Sequence, residues 1–445
     1  MAQAQDINPW SVTGGQAEDG TTLAIDYDGL SKKWNTSLID QAVIDRFEKL
    51  TGHKAHRWLR RGLFFSHRDF DKILDTYEKG EPFFLYTGRG PSTGSLHLGH
   101  TIPMAFTKWL QDCFDVPLVF MLTDDEKAIF KDKLTCEETM QYAMDNAKDI
   151  IALGFDKKKT FIYSDLKYLG GHFLMNAWEF SKTVTFNQVR GAFGFNESTC
   201  VGRLFFPVVQ CVAAFATSYP EIWTDEPLEK RQKDIAKIRC LIPMGIDQDP
   251  YFRLVRDNAG KMPFPSPKPA LIHSKFLTAL QGPTGKMSSS EPNSAIFMTD
   301  TPKQIKTKIN KYAFSGGQVS VEEHKRLGGN PDVDVSYIYL TYFEDNDETL
   351  KKIYDDYKSG ELLTGNLKAM AIELLQKYVK EFQDRRAEVT DEVLEQFMKP
   401  RKLEWRGNPN QPMPVLVAQA PDAKLADRTK KEKKEKKEKK AQKEE

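Results

Sequence analysis

The sequence has no long hydrophobic run. Nowhere do ~18 or more uncharged apolar residues follow one another, so no membrane-spanning helix is expected. The longest apolar stretch, Leu204 to Ala216, is short and is interrupted by Pro207 and Gln210. Cysteine is also scarce. The five thiols (Cys113, Cys136, Cys200, Cys211, Cys240) are widely spaced and form no CxxC pair. That argues against a zinc site or a disulfide framework and for a reducing compartment, the cytosol. The first residues, MAQAQDINPW, carry neither a basic start nor an apolar h-region, so a secretory signal is not expected. Nor is there an excess of one charge: the net charge is +1, and whole-chain charge announces no polyanionic partner. What is present is material for a core. Hydrophobic residues make up 40% of 445 and charged residues 29%, which excludes a wholly disordered chain. At ~100–200 residues per domain, two or three domains are expected.

The near-neutral total hides an uneven distribution. From Pro421 to Glu445 there are 11 basic and 7 acidic residues, a net of +4, while the preceding part is slightly acidic. This Lys-rich tail has no apolar residue after Ala426 except Ala441, so it cannot bury itself. It reads as solvated chain, with a weak electrostatic hook for polyanions as the alternative. Ahead of it, Asn408 to Pro421 carries four prolines without periodicity and reads as a linker.

The middle of the chain alternates. Pro82–Thr87, Pro117–Thr123, Phe161–Asp165, Cys240–Asp247 and Pro269–Ser274 are apolar runs of strand length. Helical stretches lie between them. Ser66 and Asp69 read as a capping box opening a helix that runs to Gly80, and Thr135 with Glu138 as another. Buried-type strands alternating with helices predict an α/β fold with a doubly wound parallel sheet. After about Thr301 the pattern becomes helical, in YIYLTYF, TLKKIYDDYKSG and the long segment from Asn366 to Met398.

Two segments carry chemistry. In YTGRGPSTGSLHLGH, Tyr86 to His100, a strand runs into a Gly-rich loop and then a helix. In parallel sheets ligands bind at such a place, outside a strand's carboxyl end and at a helix N-terminus. The loop is neither a Walker motif nor GxGxxG, because its third glycine comes one position late. The glycine spacing therefore fails for a nicotinamide-binding oxidoreductase, although Asp112 and Asp115 lie near the acidic position. His97 and His100 sit at i and i+3, on one helix face, and can donate to phosphate oxygens, while Gly99 leaves room for a flat ring. Either imidazole alone would read as a surface histidine. The second segment, GPTGKMSSSEP, reads as a small-residue loop in which Lys286 is a mobile cation suited to charge developing on a phosphate.

Together these segments resemble the HIGH and KMSKS signatures of class I aminoacyl-tRNA synthetases. LVFMLTDDEK, VTFNQVRGAFGF, FFPVVQ, IPMGIDQDPYFRLVRD, NPWSV and MKPRKLEW narrow the likeness to tryptophanyl-tRNA synthetases of the eukaryotic type, over roughly residues 8 to 406. The resemblance implies a cytoplasmic ligase. Its first half-reaction joins L-tryptophan to ATP as an adenylate, releasing pyrophosphate. The second passes the amino acid to the 3′-terminal adenosine of tRNA(Trp), with Mg²⁺ accompanying ATP and no metal held by a protein cage. It implies a Rossmann-type catalytic domain at 81–295 after an N-terminal extension at 1–80. A helical anticodon-binding domain follows at 296–406, with the linker and disordered tail at 407–445. Tyr86 matches the partner of the indole N–H, and Glu126, Gln210 and Gln248 match the groups around the amino acid's ammonium and carboxylate. Thr87, Gly88, His97, Gly99 and His100 match the ATP side, with Lys286, Met287 and Ser288 closing over it, and Lys286, His97 and His100 as the catalytic set. Trp10 and Val12 match a capping hairpin, and Asp26 and Lys368 match tRNA contacts. A homodimer without membrane attachment is implied.

The sequence departs from that family pattern in places. Met121 stands where a glutamine is usual, which removes one acceptor for the indole N–H. The loop reads KMSSS, a form tyrosine enzymes also use, so a tyrosyl-tRNA synthetase is the alternative reading. A non-catalytic paralogue would typically lose a catalytic histidine or the loop lysine, and all three are present. Thr224 to Arg239 reads as a charged insertion, and no appended helical-hairpin domain of the animal kind is recognised.

Overall fold

The structure is a computed structural model and describes residues 4–18, 23–289 and 291–412. Among these are the strands β1 (Asp6–Ile7), β2 (Val12–Thr13), β3 (Ser37–Leu38), β4 (Phe64–Arg68), β5 (Phe83–Arg89) and β6 (Leu118–Leu122). They are followed by β7 (Thr160–Ser164), β8 (Arg239–Gly245), β9 (Ala270–Ser274), β10 (Thr278–Ala279) and β11 (Gly282–Lys286). The main sheet has the order β3-β4-β9-β8-β5-β6-β7. Its five strands from β9 to β7 are parallel, as their continuous apolar runs predict for strands covered on both faces. Alternate residues feed two cores. Phe83, Leu85, Phe120, Ile162 and Leu241 face one layer of helices; Phe84, Tyr86, Met121, Phe161 and Ile242 face the other.

The chain winds outward from β5 through β6 to β7, then returns to place β8 on the other side of β5. The sheet's switch point therefore lies between β5 and β8, where a crevice opens at the strands' carboxyl ends.

The structure corrects the start of the expected helix at Ser66. Ser66 lies in β4, which pairs antiparallel with β9, and its hydroxyl meets His273 Nδ1 at 3.0 Å. The helix Phe70–Glu78 begins after Asp69, whose backbone is left-handed (φ 56°), and the Phe70 N–H donates to His67 Nδ1. Burying Ser66 against a neighbouring strand outweighs its local capping tendency. The Thr135–Glu138 capping box is formed, and the helix Cys136–Ala152 follows it.

The helices after Thr301 pack back onto the sheet layer. Arg386 in Thr364–Ala387 pairs with Asp149 at 2.7 Å, and Trp58 Nε1 donates to the Tyr342 carbonyl at 2.7 Å. The expected linker is docked where it is described. Asn408 is buried and its amide donates to the Tyr77 carbonyl at 2.9 Å. The Lys-rich tail lies outside the described residues. In the charged stretch from Thr224 to Arg239, Leu228 and Ile235 turn inward, which seats it on the body.

Candidate active site

A cavity of about 300 Å³ occupies the switch-point crevice. It is lined by the ends of β5 and β8, the start of the Leu98–Phe114 helix, and the end of β11. Of the expected residues, Tyr86, Thr87, Gly88, His97, Gly99, His100, Glu126, Gln210, Gln248, Lys286 and Met287 line it. Ser288 lies just beyond the lining, where its backbone N–H donates to Ser294 Oγ at 3.1 Å.

At one end the walls are aromatic and amide. Tyr86 is buried at the base of β5, with its hydroxyl accepting from Gln210 Nε2 at 2.6 Å. Phe206, Tyr251 and Phe252 complete this end. Glu126 is held by Lys127 at 2.6 Å and by the Thr123 hydroxyl at 3.4 Å. Asp124 and Asp125 point away from the cavity. Asp124 accepts from Ser164 and from the Leu166 N–H, capping the short Asp165–Tyr168 helix. Burial pushes the Asp125 carboxyl up to about 7, and its Oδ1 accepts from the Glu126 N–H at 2.6 Å. Among the described residues no group of side chains is arranged to hold a metal ion.

The other end is cationic. His97 caps the Leu98–Phe114 helix, and the two imidazoles stack with centroids 3.5 Å apart. The backbone N–H of His97 donates to His100 Nδ1 at 3.3 Å, which places the His100 proton on Nε2. Burial, reinforced by Arg89 and Lys286, pushes His97 down to about 3; burial likewise holds His100 well below its usual value. Both rings are therefore neutral donors at pH 7, not cations. Gly99 keeps this corner open: a Cβ would crowd His97, 3.1 Å from its Cε1. At Gly90 a Cβ would come within 2.7 Å of Glu126 Oε2.

The expected small-residue loop is partly a strand. Residues 282–286 form β11, and Lys286 ends it with its ammonium 2.7 Å from Asp247. Asp247 belongs to the turn after β8, which also carries Gln248. The next residue anchors that turn. Asp249 accepts from Arg68 at 2.8 and 3.0 Å and meets His273 Nε2 at 3.1 Å. Burial alone would raise the Asp249 carboxyl, but His273 and Arg68 more than offset it and hold it well below the carboxylate range.

The N-terminal hairpin closes one side. β2 pairs with β11 through Thr13 and Gly285, so the hairpin and the lysine strand share one small sheet. Pro9 lines the cavity. Trp10 stacks on Phe130 (5.3 Å, 14°) and meets Phe193, Phe195 and Tyr251, while Val12 is buried with Ile7, Leu30 and Phe65. Asp26 and Lys368 lie away from the cavity lining. Asp26 caps the Tyr27–Trp34 helix, and Lys368 donates to the Asn310 and Ala313 carbonyls at the end of Pro302–Tyr312.

Sequence reasoning missed Arg89, Lys127 and Asp247, all of which line the cavity. Arg89 Nε and Nη2 are buried and have no partner, and burial pushes its guanidinium down to about 10, still charged at pH 7. The available signal was position: Arg89 lies inside the Gly-rich loop and Lys127 ends TDDEK.

The chain is similar to characterised proteins over most of its length. Residues 78–380 match the family of tRNA synthetases class I (W and Y). The cytoplasmic tryptophan–tRNA ligase of Saccharomyces cerevisiae is 55% identical over 401 residues, covering 90% of each chain. That of Homo sapiens is 52% identical over 406 residues, covering 91% of this chain and 83% of the human one. Among solved structures, the tryptophanyl-tRNA synthetase from Giardia lamblia superposes with a TM-score of 0.79 at 43% identity, covering 85% of this chain and 97% of that one. The cavity at the switch point, the HLGH helix start and the KMSSS strand end thus stand in a known framework: the chain belongs to the class I tRNA synthetases of the W and Y family.

Proposed function

We propose that the protein activates L-tryptophan with ATP and transfers it to the 3′-terminal adenosine of tRNA(Trp), in the cytoplasm. The observation that carries this reading is one cavity with two unlike ends, an aromatic–amide end and a cationic end. The names of the yeast and human relatives support tryptophan over tyrosine and support the cytoplasm.

In the first half-reaction the tryptophan carboxylate oxygen attacks the α-phosphorus of ATP. An acyl–phosphate bond forms and pyrophosphate leaves. Tyr86 accepts the indole N–H; Glu126, Gln210 and Gln248 receive the ammonium and carboxylate. Thr87, Gly88 and Gly99 let the nucleotide approach the backbone. His97, through the ring nitrogen Nδ1 that no protein group occupies, and His100, through Nε2–H, face the phosphates. Lys286 leaves Asp247 to follow the charge as it moves onto pyrophosphate, with Met287 and Ser288 behind it. Fixed donors in a dry site stabilise such charge without a protein nucleophile. Mg²⁺ enters as part of the ATP substrate. In the second half-reaction the ribose 2′-hydroxyl of the tRNA attacks the anhydride and AMP leaves.

The helical region at 296–406 is assigned to the anticodon, with Lys368 within it, and Asp26 to the acceptor end. The pairing of subunits into a homodimer is supported by an exposed apolar surface. Met175, Trp178, Phe186 and Val201 are 61%, 56%, 47% and 80% exposed on three helices of one region. Light scattering that found a fully active monomer would remove the dimer. ATP–pyrophosphate exchange across the aromatic amino acids tests the activity itself: tryptophan should support it, and greater stimulation by tyrosine would overturn the assignment.

A further inference from the structure

The tryptophan-facing hydroxyl of Tyr86 has a second neighbour besides Gln210. Met121 Sδ lies 3.1 Å from it and accepts its hydrogen bond. Met121 is fully buried on β6 and does not line the cavity. Strand register explains the meeting. β5 and β6 run parallel with Gly88 opposite Met121, so Tyr86 and Met121 project from the same sheet face. A Cβ at Gly88 would lie 3.7 Å from Met121 Cβ and 3.9 Å from the Tyr86 oxygen, so Gly88 sits directly over the pair.

A phenol has one hydrogen to give and two lone pairs to offer. Gln210 donates into one lone pair, at 2.6 Å. The thioether, which has no hydrogen, can only accept, so it takes the hydroxyl hydrogen. One lone pair is left. We infer that Met121 is a positioning residue for amino-acid selection: by taking the Tyr86 hydrogen it makes that hydroxyl present an acceptor to the cavity, so the site reads a ring N–H. The thioether is a weak acceptor, but among the described residues no stronger one contacts Tyr86 to compete with it. Its loss frees the hydrogen to turn toward the cavity, where it opposes an incoming N–H. This inference rests on Tyr86 as the indole partner and names what sets its polarity.

The test compares tryptophan with β-(3-benzothienyl)-alanine, which keeps the ring size and replaces the N–H by sulfur. Pyrophosphate exchange gives kcat/KM for each. Met121→Leu keeps the volume and removes the acceptor. Discrimination in favour of tryptophan should fall about 3- to 10-fold, the range of a neutral hydrogen bond, through KM for tryptophan. The KM for ATP should not move. Met121→Gln restores an acceptor oxygen and should retain the wild-type discrimination. A purely structural role would lower both amino acids equally in Met121→Leu, or would lower discrimination equally in both variants; either result overturns the proposal. Should Met121→Leu fail to fold, Met121→Gln alone decides, since a loss of discrimination there contradicts it. Tyr86→Phe separates the two layers. Lowered discrimination in Tyr86→Phe with none in Met121→Leu overturns the role of Met121 only. Unchanged discrimination in Tyr86→Phe overturns the indole reading and this inference with it.

Discussion

The two ends of the active-site cavity are built on opposite plans. At the amino-acid end the polar groups already bond one another: Gln210 donates to Tyr86, and Glu126 is held by Lys127 and Thr123. At the end proposed for the phosphates, donors are left without partners. Arg89 has two buried nitrogens unpaired, and His97 Nδ1 is buried and unbonded. Lys286 is satisfied there, by Asp247, and it stands at the end of β11 in the small sheet rather than in the main one. The contrast separates two tasks. Selection needs groups whose direction is set before the ligand arrives, because an unpaired group in the wrong partner's presence is what rejects it. Charge stabilisation needs donors not already spent on the protein.

The largest expected effect is at the phosphate end. Lys286→Ala should lower single-turnover adenylate formation by ~10²–10³, as loss of a transition-state donor does, with little change in tryptophan affinity. A rate within a few-fold of wild type would erase the distinction drawn above. Arg89→Ala should follow, with ATP-dependent kcat/KM down ~10- to 100-fold, the worth of a charge-assisted contact. An unaltered KM and kcat for ATP would mean that its unpaired state has no part in binding phosphate.

At the amino-acid end the losses should be smaller and should fall on KM. Tyr86→Phe should cost about tenfold in tryptophan kcat/KM, since it removes the acceptor proposed for the indole N–H. A larger effect on ATP than on tryptophan would reverse the two ends. Trp10→Ala removes an aromatic contact of ~0.5–1.5 kcal/mol and should raise the tryptophan KM two- to tenfold. It leaves the hairpin tied to β11 through Thr13.

The last effect concerns stability and not catalysis. His97 has its pKa lowered to about 3 by burial, below the ~6.5 of an unfolded histidine. Between these values the unfolded chain binds the proton and the folded one does not. Stability is therefore fully present above about pH 6.5 and is lost as pH falls toward 3. His97→Asn should flatten the fall of the thermal midpoint between pH 6.5 and 4.5, by at most ~1.4 kcal/mol per pH unit. An unchanged slope would show that His97 is charged in the folded state.

Much of this was legible in the residues. The five parallel strands were visible because each is apolar on both faces, and their observed bounds differ from the expected ones by at most two residues. The two signature segments were visible because small residues, histidines and a lysine rarely combine so. Ser66 misled because a local capping pattern carries no information about a distant strand; β4 pairs with β3 and with β9, the latter some 200 residues on. Arg89 and Lys127 were overlooked because a charged side chain beside an apolar run is ordinarily solvated, and only assembly encloses it.

What the sequence determined by itself is what depends on near neighbours: the alternation of strand and helix, the glycines that let chain and ligand approach, and the chemical types available to the site. Tertiary structure decided which of these groups meet. Tyr86, Met121 and Gln210 come from two strands and a helix, and their hydrogen-bond directions follow from register and packing. Lys286 and Asp247 join segments 39 residues apart. Burial sets the charge of His97 and His100, and burial is a property of the assembled fold: the same imidazoles in an open chain would titrate near pH 6.5.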